Sequence, residues 1–77
     1  MNKTFITYNL QEVHEEIELI FRALKNNPNY SQAEYYHAIQ HIIHHVNIAW
    51  NGRNASENPS EIEVEKWSEY PTDIKLI

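Results

Sequence analysis

Apolar residues recur along this chain at steps of three and four, the signature of amphipathic helices. The longest such pattern lies in the centre: Tyr35, Ala38, Ile39, Ile42, Ile43, Val46, Ala49 and Trp50. They form one stripe, and they predict a helix over Gln32–Asn51. Ser31 with Glu34 three residues on is a capping box, and Tyr30 with Tyr35 supplies a hydrophobic staple. Gly52 stands just past the last periodic residue, where a left-handed C-terminal cap favours glycine.

A second stripe precedes it: Leu10, Val13, Ile17, Ile20, Phe21 and Leu24. Asn9 is its expected N-cap, with Glu12 three residues on. Pro28 stops the helix near Asn26, giving a helix of about residues 10–26. Glu12, Glu15, Glu16 and Glu18 complement the helix dipole from solvent-exposed positions, and Glu18 pairs with Arg22 at i,i+4. Residues 4–8 (TFITY) are expected to drape aromatic side chains over the helices. The connection Asn26–Tyr30 is short, which makes the two helices antiparallel neighbours, stripe against stripe. Asn58-Pro59-Ser60-Glu61 reads as the start of a third helix over about 59–70, with Ile62, Trp67 and Tyr70 on one side. The tail, with Ile74, Leu76 and Ile77, is expected to lie against the body or a neighbour.

The fold expected is all-α: a single helical domain over residues 1–77, an antiparallel helical hairpin closed by a short third C-terminal helix. Seventy-seven residues bury only a small core, so a partner subunit is expected and the assembly is read as an oligomeric bundle.

Composition narrows the function classes. The net charge of −5, with six scattered Lys and Arg, argues against nucleic acid as a partner. There is no cysteine, so there is neither a disulfide framework nor a thiolate metal site. No stretch reads as a signal peptide or a membrane span, and a cytoplasmic location is the expectation. One glycine excludes a glycine-rich phosphate loop, and no serine sits in a nucleophile-elbow pattern. No catalytic residue is assigned, and a non-enzymatic role is expected.

Two constellations carry the candidate chemistry. His37, His41 and His44, spaced by four and three, share the face opposite the apolar stripe, with Ile48 one turn further. This strip is read as an interaction face turned to a second subunit. Its alternative is a metal site in which His37, His41 and His44 hold zinc or another transition metal, with remaining ligands from elsewhere. The second constellation is Trp50, Asn51, Arg53 and Asn54, with Trp67 and Tyr70 returning near it. Arginine beside aromatics suits a carboxylate or phosphate, so this group is the candidate for a small-molecule or anion-binding site. The expectation is thus a small non-enzymatic interaction or regulatory protein that self-associates or binds another protein. A histidine-cluster metal-binding protein and an anion-binding module around Arg53 are the alternatives.

Overall fold

The computed structural model describes all 77 residues. It is all-helical: α1 spans Lys3–Asn26, α2 spans Gln32–Asn51 and α3 spans Glu61–Trp67. Helices α1 and α2 pack together as the expected hairpin, and α3 rests against α2. No helix is long and apolar enough to cross a membrane.

Helix α2 begins and ends as its sequence directs. The Ser31 hydroxyl accepts from the Glu34 N–H, and the Glu34 carboxylate accepts from the Ser31 N–H. Tyr30 and Tyr35 meet edge to face at 6.5 Å across the cap. Gly52 does close the helix, but not in a left-handed conformation: its φ is −94°. Its smallness serves close approach instead. A Cβ built there would lie 2.6 Å from Phe5 Cε2, 2.8 Å from Trp67 Cε3 and 2.9 Å from the Ile48 carbonyl oxygen.

Helix α1 departs from expectation at its start. Residues 4–8 are helical, and Asn2 rather than Asn9 is the N-cap. The Asn2 side-chain oxygen accepts from the Phe5 N–H, while its amide donates to the carbonyl of Ala55. One residue thus caps α1 and ties it to the loop after α2. The extra length, about two turns, brings Phe5 onto Trp67, ring centroids 5.7 Å apart in a T-shaped pair. This packing outweighs the modest helix propensity of Thr4, Ile6 and Thr7.

Helix α3 starts later and stops earlier than 59–70. Ser60 is the N-cap, closing a second capping box with Glu63. That box satisfies two free N–H groups, whereas Asn58 with Pro59 at N1 would have satisfied one. The helix ends at Trp67, so Tyr70 lies beyond it. Two asparagines of α2 hold this segment: Asn47 donates to the Ser68 carbonyl, and Asn51 donates to the carbonyls of Trp67 and Glu69.

The hairpin does not close stripe against stripe. Ile20, Ala38, Ile48 and Ala49 are the only buried hydrophobic residues. Across the contact Asn9 meets His45, Glu16 meets His41, and Glu12 lies beside both imidazoles. Both apolar stripes lie roughly a quarter turn away from this line of contact. Because the helices are antiparallel, the two quarter turns open on the same side of the hairpin. There Leu10, Ile17, Phe21 and Leu24 are 37–67% exposed, and Tyr35 and Val46 are 43% and 44% exposed.

Candidate functional site

The core therefore takes Ile48 from the expected interaction strip together with Ala38 and Ala49 from the apolar stripe. Ile48, assigned to an outward interaction face, is the most buried side chain in the molecule, 2% exposed. His41 faces α1 as well, with Nδ1 3.4 Å from a Glu16 carboxylate oxygen. His37, His41 and His44 of the proposed strip all stay exposed, and His37 is engaged with Gln40 on its own helix. The strip of His37, His41, His44 and Ile48 is thus not one surface; it straddles the helix–helix seam. The physical reason is that small Ala38 and Ala49 let the helices approach along a line that histidines flank, with their polar atoms reaching acceptors on α1.

His45, which lies outside the His37, His41 and His44 set, is the centre of the polar group. Its Nδ1 lies 2.8 Å from Asn9 Oδ1. Asn9 is 3% exposed, and its amide nitrogen donates to the Phe5 carbonyl. The asparagine oxygen is thereby turned to His45 and must accept, so Nδ1 of His45 carries the proton. The Glu16 carboxylate can only accept, so the His41 Nδ1, 3.4 Å away, is placed to donate to it. The Nε2 atoms of the two imidazoles lie 3.1 Å apart, within hydrogen-bond distance of each other. Carboxylate Glu12 completes the group: its oxygen and the two ring nitrogens all lie within 4.8 Å of one another.

The His45 imidazole is held below its ordinary proton affinity, first by burial and then by the neighbouring His41 and His44, while Glu12 opposes the shift. Glu12 and Glu16, expected in solvent, are half-buried between the helices. Their spacing with Asn9, at three and four residues, puts all three on one face of α1. That spacing was present in the sequence, but nothing in α1 alone distinguishes a face of Asn and Glu turned inward from one turned to water.

The second constellation is assembled in part. The Arg53 guanidinium stacks 3.9 Å over the Trp50 ring and donates to the Trp50 carbonyl at 2.8 Å. Its other terminal nitrogen pairs with Asp73 at 3.4 Å, and Trp50 Nε1 donates to the same carboxylate at 2.9 Å. The Trp50 indole hydrogen bond, foremost, lowers the Asp73 pKa, with Arg53 adding to it. Asn51 and Trp67 are used in the contact with α3, Asn54 is exposed, and Tyr70 stands 73% exposed at the rim of a groove shared with Trp50. The carboxylate that this arginine recognises is therefore the chain's own. It fastens the tail across α2 and leaves an apolar groove between Ile42, Val46, Trp50, Ile74 and Leu76.

No protein-family model, no curated protein and no solved structure matches this chain.

Proposed function

We propose that this chain is a small non-catalytic interaction or regulatory protein that works as a homodimer, joined through the exposed apolar side of the α1–α2 hairpin into a four-helix bundle. The observation that carries the reading is the excess of exposed surface. The chain exposes 6308 Å², against roughly 4,900 Å² for a folded monomer of 9.2 kDa. Obligate dimers bury roughly 1,000–2,500 Å² per subunit, and the excess of roughly 1,400 Å² falls in that range. The radius of gyration, 14.2 Å, likewise exceeds the roughly 11.5 Å of a compact chain of this length.

The occupant that fits is a second copy. Leu10, Val13, Ile17 and Leu24 stand at steps of three, four and seven residues, the a/d spacing of a helical seam. A two-fold axis through the middle of the face would set this seam and Ile42 and Val46 of one hairpin against the same residues of the other. The self-association expected from chain length thus moves from the histidine strip to the apolar side. A cysteine-free chain of this kind suits a reducing cytoplasm, where we place it.

Sedimentation velocity on the full chain tests the proposal. The wild type is expected to run as a dimer. Ile17→Glu and Val46→Glu are expected to run as folded monomers or to unfold as the dimer is lost. His37→Glu, on the other side of the hairpin, is expected to stay dimeric. A wild type that remains a folded monomer up to its solubility limit overturns the reading, as does dissociation by His37→Glu alone.

A further inference from the structure

We propose that Glu12, His41 and His45 form a site for a divalent transition-metal ion, zinc by preference, that pins α1 to α2. The site differs from the His37, His41 and His44 set read from the helical spacing. It does not rest on self-association.

The geometry of the imidazole pair carries the proposal. Asn9 and Glu16 stand as acceptors at the two Nδ1 atoms, and the two Nε2 atoms lie 3.1 Å apart on the side away from them. With both protons on Nδ1 the two Nε2 atoms repel, and either a further proton shared between them or a metal ion bound by both relieves this; the metal competes with that proton. A tetrahedral zinc with Zn–N bonds of about 2.0–2.1 Å sets its ligand nitrogens about 3.3 Å apart, close to the separation present. The Glu12 carboxylate, within 4.8 Å, closes on the same point by a side-chain torsion.

The surroundings are those a metal site requires. Metal-bound histidines donate their second N–H to a carboxylate or an amide oxygen, which fixes the ring and raises its basicity. Here Glu16 does this for His41 and Asn9 does it for His45. Asn9 is itself buried and oriented by the Phe5 carbonyl. Two nitrogens and one carboxylate oxygen suit zinc, and three protein ligands leave a fourth position open to water or a small anion.

The test uses the full chain without an affinity tag, stripped with chelator and titrated with zinc chloride by calorimetry and with cobalt chloride by visible absorption. One ion per chain is expected, with a Kd of about 1 µM or tighter, and cobalt is expected to give the strong visible band of a four-coordinate site. His41→Ala should weaken binding by about 100-fold or more, and Glu16→Gln, which removes only an outer partner, by about 10–100-fold. His37→Ala and His14→Ala should bind as the wild type does. Circular dichroism verifies that each variant is folded, and His41→Gln replaces His41→Ala if the latter is not. A wild type that takes up no zinc overturns the proposal. So does binding that survives both His41 substitutions, or that is lost with His37→Ala.

Discussion

Asn9 Oδ1 and His45 Nδ1 meet at 2.8 Å across the seam between α1 and α2. Each group is fixed by the other, and Asn9 is among the least exposed residues of the chain. Asn9→Leu keeps the side chain's bulk but orphans the His45 N–H, at a cost of about 1–3 kcal/mol. Combined with His45→Leu, the loss should be less than the sum of the two single variants. Urea unfolding of the four proteins, with chelator present, measures the coupling. An additive result would mean that the contact contributes nothing specific.

Gly52 offers a test of close packing rather than of backbone freedom. Its φ is open to any residue, so Gly52→Ala carries no conformational strain. The added methyl meets Phe5, Trp67 and the Ile48 carbonyl. Overpacking of this kind costs about 1–3 kcal/mol, and thermal unfolding should show it as a fall of about 4–8 °C per kcal/mol. Phe5→Leu in the same chain should recover part of the loss.

Ile48 separates folding from association. Ile48→Ala opens a cavity in the hairpin and should cost about 2–5 kcal/mol, with the oligomeric mass unchanged wherever the protein stays folded. Combined urea unfolding and light scattering distinguish this from Ile17→Glu, whose first effect is on mass.

Acid should weaken the metal-free protein in a definite window. The His45 pKa is lower in the folded chain than the ordinary value of 6.5. The unfolded chain therefore binds this proton first, and stability rises with pH through the region. The contribution is complete above about pH 6.5 and is lost as pH falls through the folded value. His41, His44 and Glu12 face the ring, so the wild-type profile is a coupled one. Urea midpoints between pH 8 and 5 should fall, and His45→Gln should flatten that part of the curve.

The tail is held by the Asp73 carboxylate between Trp50 and Arg53. Asp73→Ala should free residues 72–77, seen as faster amide exchange there and a red shift of Trp50 emission. The far-ultraviolet spectrum should be unchanged, because no helix depends on the pair. Acidification through the lowered Asp73 pKa should release the tail in the wild type in the same way.

By itself the sequence determined the elements whose signals are local. The Ser31–Glu34 box, the run to Asn51 and the short Asn26–Tyr30 turn gave α2, the hairpin and its antiparallel sense, because capping and loop length act within a few residues. The Glu18–Arg22 pair is also present, at 3.7 Å. A further local signal was there in Asn2 and Ser60, each three residues ahead of a partner, but Asn9 and Asn58 looked like equally good caps. Only long-range packing of Phe5 on Trp67 and Gly52 chose between the starts of α1.

Tertiary structure alone decided which face of each helix meets the other. Periodicity marks where apolar surface lies, and says nothing of which partner covers it. Here Ala38, Ala49 and Ile48 make the intramolecular seam, flanked by Asn9, Glu12, Glu16, His41 and His45. The broader apolar stripes are left to the outside. One histidine of the expected outer strip, His41, joins His45 in a polar cluster along the seam, because hydrogen-bond partners for these two rings exist only once α1 is beside them. Residues 36 positions apart in the chain had to meet before the cluster existed at all.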